Sequence, residues 1–456
     1  MRIISSLPPI DVGRDLVEVY FNTLDQAVGS LFHRHSFQTA FEQQKVPIVL
    51  LLCVFALAAR FSDHDHFRGI DPSERGADWS RQAREIVNLQ TLDRSVTSMQ
   101  ACFLASTLAG SDGDSDQESI CSAMAIRMAQ LSGLPYKLSS DPLNREIELR
   151  VWSSVYMLDI WTTTGRNIRQ SVTYDPDWPW PVEESAFDGM RFNSPSHNTQ
   201  LLNGSSLRTA SVWGQMIHLT YIKSKVHQLN YSLGKVEEPG PHFMRSVEEL
   251  SNELRKWLVD LPQGLQENEA NMSYFKSIGR GRVFVALHIG HHFHAVLLFY
   301  RFLNNGLRAD NTLRRPDYAD RCKQHARALS DLLWDSSHDY NRRCMWLWPR
   351  IGHLLVISSS VHLHTLLTET NPEAVSQARE VLNRNFQMLT HLQHYWSNLG
   401  DSIGRLKIFH EACLSAPEPE NVFQMTEWLS KFVYEHANSV RSLDVGPATP
   451  ARTAEE

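Results

Sequence analysis

Residues 119–181 read SICSAMAIRMAQLSGLPYKLSSDPLNREIELRVWSSVYMLDIWTTTGRNIRQSVTYDPDWPWP. Apolar side chains recur here at steps of three and four, the period of a helix rather than a strand. Ile120, Met124, Met128 and Leu131 predict one buried helical face. Just upstream, Ser115 and Glu118 have the S-x-x-E spacing of a capping box, so Ser115 is the expected N-cap. Gly133 stands where a left-handed residue closes a helix, and Pro135 blocks continuation. Asp141 and Pro142 then supply an N-cap and a first helical residue. The second helix carries Ile147, Val151, Val155 and Leu158 on one face, flanked by Trp152 and Tyr156. Asp159 lies on the edge of that face, where a charge calls for a partner, and Arg166 is the expected one. Gly165 is predicted to leave the helix with a positive φ. Pro176, Pro179 and Pro181 then force an extended path.

The same helical period recurs outward in both directions. It predicts helices over 48–59, 79–92, 96–109, 212–229, 243–259, 283–303, 346–367, 372–399 and 421–437. Period-2 alternation is scarce, so the expected fold is all-α, a large multi-helix bundle. Hydrophobic residues make up 42% and charged residues 21%, the balance of an ordinary globular chain with a sizeable core. Residues 62–76 and 110–119 read as polar loops. A longer surface loop is expected from about 183 to 210, between two halves of one domain spanning 1–440. Residues 441–456 have no apolar face and read as a disordered tail.

Net charge is −7, and the basic groups Arg314-Arg315, Arg342-Arg343 and Arg280/Arg282 are short and scattered. That argues against direct DNA contact by this chain, because a nucleic-acid face is a concentrated basic patch. The six cysteines are never closer than 19 positions, which excludes a local C-x-x-C metal site. The first fifteen residues hold no apolar run of signal-peptide length. The most apolar run, 48–59, is too short to cross a bilayer, and no membrane association is expected.

Candidate chemistry is sparse. No nucleophile elbow, phosphate loop or dinucleotide fingerprint occurs, so no catalytic residue is expected. Asp112, Asp114 and Asp116 imitate a calcium loop, but Gln117 and Ala123 stand where Gly and Glu are needed. His33, Arg34 and His35 read as capping and pairing groups at a helix start, with Phe37 anchoring the turn. His288, His291, His292 and His294 form the strongest metal candidate, since His288 and His292 at i,i+4 share a helix face. No acid lies within that segment, and core histidines bonded to neighbouring helices explain it equally well. A helical metal- or small-molecule-binding protein or enzyme using His288, His291 and His292 is the alternative reading.

Several of these motifs together resemble the fungal-specific transcription factor domain, the regulatory middle region of fungal binuclear zinc-cluster regulators. The matching text is A-I-R-M-A-x-x-x-G-L at 125–134, R-x-x-W-x-x-Y-x-x-D at 150–159, and Gly165-Arg166, with Asn167 in place of the usual Pro. The Leu7-Pro8-Pro9 start, Tyr20-Phe21, and Leu31 to Phe37 extend it upstream. Trp257, Leu261 and Pro262, and then Leu287-His288, His292, Arg301 and Leu303, extend it downstream. The resemblance implies a nuclear, non-catalytic module of a transcriptional regulator. Its structural signature here is His33, Arg34, Phe37, Asp159, Gly165, Arg166, His288, His292 and Arg301. Expected partners are other transcriptional regulators or coactivators, a second copy in a homodimer, or a small-molecule effector. Zinc is expected only through a cluster module upstream, and no cofactor in the chain itself. The Leu-Pro-Pro start suggests that the chain opens where such a regulatory domain opens. Three readings stay open: a zinc-cluster exon upstream, a regulator that works without one, or a binding module with another role.

Overall fold

The computed structural model describes residues 7–25, 29–89, 93–191, 211–233, 241–304, 316–337, 350–438 and 440. Among them are seventeen α-helices and no strand, so the fold is all-α as expected. The first half contains α1 Ile10–Thr23, α2 Arg34–Glu42, α3 Ile48–Ala58, α4 Ala77–Leu89, α5 Val96–Ser111, α6 Ser115–Ser132, α7 Pro142–Arg166 and α8 Glu184–Asp188. The second contains α9 Val212–Leu233, α10 Pro241–Asp260, α11 Glu269–Ser277, α12 Gly281–Phe299, α13 Pro316–Ser337, α14 Ile351–Thr368, α15 Pro372–Gln393, α16 Leu399–Ser415 and α17 Glu427–Tyr434. The predicted 372–399 helix ends at Gln393, just before Tyr395-Trp396, α16 over Leu399–Ser415 was not expected, and the 421–437 helix shortens to one of eight residues. The tail at 441–456 lies outside the described residues.

Local signals explain several helix ends. Asp141 caps α7, accepting from Asn144 N at 2.9 Å, with Pro142 at the first position. Gly133 closes α6 at φ 85°, the left-handed conformation that favours glycine. The capping-box reading of Ser115 and Glu118 needs correction. Asp114 is the N-cap, accepting from Gln117 N at 3.1 Å, and Glu118 turns inward to Arg350 at 3.3 Å.

The buried face of α6 also differs from the predicted stripe. Ile120 and Leu131 are 54% and 57% exposed, while Cys121, Ala125, Ile126, Met128 and Ala129 are buried. Helix α6 packs against both α5 and α7, and small side chains let those axes approach. Size therefore outranked hydrophobicity in choosing the inward face.

Helix α7 packs on α5 and α6 on one side and on α9 on the other, so it bridges the halves. Buried apolar residues from Val12 to Tyr434 form one continuous core through both. The extended exit after α7 returns over this helix, placing Trp178 edge-on to Trp152 and Tyr156 at 5.0 and 5.1 Å. The loop expected over 183–210 holds α8 at its start. Phe187 is buried beneath the Arg150 guanidinium at 4.1 Å, and Glu183 caps the helix. Residues 192–210 lie outside the described set. Gly281–Leu303 and Ile351–Thr368 are long and apolar enough to cross a membrane, but 89% and 78% of their apolar windows are buried inside the bundle. Their hydrophobicity is spent on the core.

Candidate functional site

The signature at the end of α7 works differently from its sequence reading. Gly165 is helical and does not have a positive φ; Asn167 takes the left-handed position at φ 56°. Asn tolerates that conformation better than most residues, so it serves as the cap. What Gly165 supplies is space. A Cβ there would overlap the His436 imidazole, and Ala437 N donates to Gly165 O at 3.0 Å. The predicted Asp159–Arg166 pair is not made. Asp159 accepts from Ser171 N at 2.9 Å and Ser171 Oγ at 2.7 Å, pinning the extended exit to the helix. Burial raises its carboxyl pKa, and these hydrogen bonds only partly offset that. Arg166 pairs instead with Asp116 at the start of α6 and reaches Ser115 Oγ at 3.0 Å. Two helical turns, about 10 Å, separate Asp159 and Arg166 along the axis, which leaves each to a different neighbour.

His436, admitted by Gly165, packs on Trp161 with ring centroids 4.2 Å apart. Trp161 in turn borders an interhelical cavity of about 180 Å³ between α5, α7, α9, α12 and α14. Its wall is mostly apolar, including Phe103, Leu158, Leu219, Ile289, Phe293 and Leu354. Half-buried Met157, Met216 and Thr220 mark its mouth. A second chamber of about 140 Å³ shares Trp161 and Arg350 and is bordered by Glu118, His353, Arg405 and His436.

Two cations face this space. Lys223 Nζ lies 4.5 Å from the Trp161 ring centroid, and the Arg350 guanidinium lies 4.9 Å from it. Arg350 has Glu118 as ion partner. Lys223 is 6% exposed, and among the described residues no carboxylate or hydrogen-bond acceptor meets its ammonium. Burial, with the Arg350 charge beside it, pulls the Lys223 pKa from 10.5 down to about 7. Burial likewise holds His294, His353 and His436 well below the ordinary histidine value, with Lys223 adding to the effect. Arg405 donates to the carbonyls of Phe432 and Asn438, each at 2.7 Å, and its Nε has no hydrogen-bond partner among the described residues. The Trp213 Nε1 and His294 Nδ1 atoms, both on cavity-lining residues, have no hydrogen-bond partner.

The histidine run on α12 separates into two groups. His294 belongs to the cavity wall. His288, His291 and His292 turn toward α13 and the segment before α11. His288 Nε2 contacts Leu265 O at 3.0 Å, and His291 stacks on Trp257 at 5.4 Å. Glu267 Oε2 meets His292 Nε2 at 3.0 Å, and His292 Nδ1 meets His325 Nδ1 at 2.9 Å. The result is a hydrogen-bonded chain, Glu267–His292–His325, with Glu267 3.6 Å from His288 Nδ1. The acid absent from the segment is thus brought in from another element. Among the described residues, His291, His292 and His325 are the metal-capable side chains whose ligand atoms converge, within 4.8 Å. Cys53, Cys102, Cys121, Cys322 and Cys413 are free and buried, and burial pushes the Cys102 thiol up to about 12. Such protonated, dispersed thiols do not fit a zinc cluster. Cys344 lies outside the described residues.

The remaining signature residues sit elsewhere. His33 caps α2, with Nδ1 2.7 Å from Ser36 Oγ. Arg34 pairs with Glu18 at 2.5 Å, and Phe37 packs on Phe21 and Phe32 at 5.5 and 4.8 Å. Arg301 lies over Phe243 at 5.7 Å. None of these borders the cavity. Sequence reasoning passed over Trp161, Lys223 and Arg350. One signal for Lys223 was available. It occupies the apolar stripe Met216, Leu219, Lys223, Val226, where a lone charge is out of place.

The fold and cavity define a helical module without a catalytic constellation among its described residues. Residues 17–258, more than half of the chain, match the family described as the fungal specific transcription factor domain, and the chain belongs to that family. It is not an enzyme family. A transcriptional regulatory protein of Schizosaccharomyces pombe is 25% identical over 334 residues, covering 65% of this chain and 33% of that protein. A Zn(2)-C6 fungal-type transcription factor, FTF1a, of Fusarium oxysporum f. sp. lycopersici is 22% identical over 431 residues, covering 86% and 38%. A second S. pombe transcriptional regulatory protein is 23% identical over 462 residues, covering 90% and 54%. The chain therefore spans between a third and about half of the length of these curated relatives.

Proposed function

We propose that this chain is the regulatory module of a transcriptional regulator, and that occupancy of the cavity at Trp161 sets its activity. Membership of the fungal specific transcription factor domain family carries the regulatory role. The interior cavity with an unpaired ammonium supports the effector role, since small-molecule sites between helices are apolar with a few placed polar groups. The module acts in the nucleus, on other regulators or coactivators or as a homodimer. It reaches DNA through a zinc-cluster module or a partner, because its own charge is −7 and its basic groups are scattered. It performs no chemistry.

The test is a fusion of the whole chain to an unrelated DNA-binding domain, assayed on a reporter carrying that domain's site in a fungal nucleus. The expected outcome is a change in reporter output relative to the DNA-binding domain alone. Unchanged output from a fusion that is expressed and nuclear would refute the regulatory role.

A further inference from the structure

We propose that the cavity beside Trp161 binds a small organic anion: a monocarboxylate with an aromatic or branched aliphatic body, its carboxylate on Lys223. This rests on the reading of the cavity as the module's effector site and names the ligand's chemical class. The argument starts from charge. Lys223 and Arg350 both face the cavity, whose own lining holds no acid among the described residues. Of the two acids lining the adjoining chamber, Glu118 is already paired with Arg350 and Asp401 is exposed to solvent. The histidines around them, His294, His353 and His436, are held neutral by burial and cannot offset the excess. A buried ammonium with only an aromatic ring for company lacks hydrogen-bond acceptors for its three donors. Trp213 Nε1 on the same wall is a further donor without an acceptor. A ligand that supplies acceptors and one negative charge satisfies both groups. A neutral ligand would leave the ammonium unpaired, and a cation would add to the repulsion.

Size and lining fix the rest of the molecule. About 180 Å³ is slightly more than the ~150 Å³ that accommodates a benzene ring in a protein core. Phe293, Leu219 and Ile289 offer that ring or a branched chain an apolar bed. A nucleotide or a polyanion is too large and too polar for this space. Opposite charge and size therefore converge on one class.

The experiment uses the purified full chain and three probe acids, benzoate, phenylacetate and 4-methylpentanoate, each against its own amide. Binding is read by calorimetry and by the shift in melting temperature. The acids are expected to bind and raise the melting temperature, with the amides weaker by about tenfold or more, the loss typical of a charged hydrogen bond. Binding near pH 8 should take up a proton, visible as a heat that depends on the buffer, because the ligand recharges Lys223. The variant Lys223→Met should abolish the preference for acid over amide while melting no lower than the parent. Ala286→Leu, which fills the cavity away from the charge, should weaken acids and amides alike. Equal binding of acid and amide, a preference that survives Lys223→Met, or no binding by any probe would each overturn the proposal. The reporter fusion separates this from the broader reading. Regulation without probe binding removes only the ligand class, whereas a silent fusion removes the regulatory role whatever the probes do.

Discussion

Helix α12 presents two faces to two different polar regions, and they solve burial in opposite ways. On one face His292 and His325 are bonded in a chain to Glu267 and His288 Nε2 meets Leu265 O, while Nδ1 of His288 and of His291 have no hydrogen-bond partner among the described residues. On the other, His294 looks toward Lys223, whose ammonium finds only the Trp161 ring. The conspicuous cluster is built of neutral rings that partner one another in part, and the inconspicuous single lysine is a charge with no counter-charge. A dense group of titratable residues can partner itself, whereas one charge on an apolar helix depends on something from outside. Unpaired charge, rather than density of polar residues, marks the place where a ligand has work to do.

The largest test of this contrast is acid. Burial lowers the pKa of His288 and His325 on one face, and of His227 near Lys223 on the other, to about 4. Unfolded histidine titrates near 6.5, so between pH 6.5 and 4 the unfolded chain binds more protons. Stability is therefore lost as pH falls through that window, by about 3 kcal/mol for each fully expressed group. Urea midpoints measured from pH 7 to 4.5 should fall steeply, and a flat profile would mean that these rings are charged in the fold.

Next in size, Lys223→Met should stabilise the ligand-free chain by about 2–4 kcal/mol at pH 7, because it removes a buried charge without a counter-ion. The folded pKa of Lys223, about 7, lies below its unfolded value of 10.5. The unfolded chain thus binds the extra proton across that interval, and this lysine makes stability rise with pH from 7 to 10.5. The groups around it are Trp161, Arg350, His227, His294, His353 and His436. The difference between parent and variant should shrink over that range. A variant less stable than the parent at pH 7 would show that Lys223 has a partner after all.

Gly165→Val should cost about 1–3 kcal/mol by overpacking against His436. His436→Ala in the same chain should recover much of it, a coupling that thermal melts of the four chains in the cycle would reveal. An additive cycle would break the link from Gly165 through His436 to Trp161. The smallest effect is expected at the histidine cluster. Glu267→Gln weakens one partly exposed hydrogen bond to His292 and should lower stability by about 1 kcal/mol in urea titrations. A much larger loss would mean that the histidine chain depends on the carboxylate charge.

Much of the fold was readable beforehand because helices announce themselves locally. Asp141, Pro142 and Gly133 act within a few residues of themselves, and the structure uses them as their chemistry dictates. The readings that failed concern what lies across the bundle. Ile120 and Leu131 face outward because α5 and α7 demanded small side chains from α6. Glu118 left its expected cap for Arg350, 232 residues away. Asp159 and Arg166, neighbours on paper, were each claimed by a different segment.

The candidate site divides in the same manner. The sequence by itself determined the helical period, several helix ends, the family signature and the histidine-rich α12, because each depends on residues a turn or two apart. Only the tertiary structure decided that Gly165 makes room for His436, that His292 finds Glu267 and His325, and that Lys223 faces a cavity without an acid. Those outcomes depend on which side chains arrive from distant helices, and a local pattern encodes the need for a partner but not its identity.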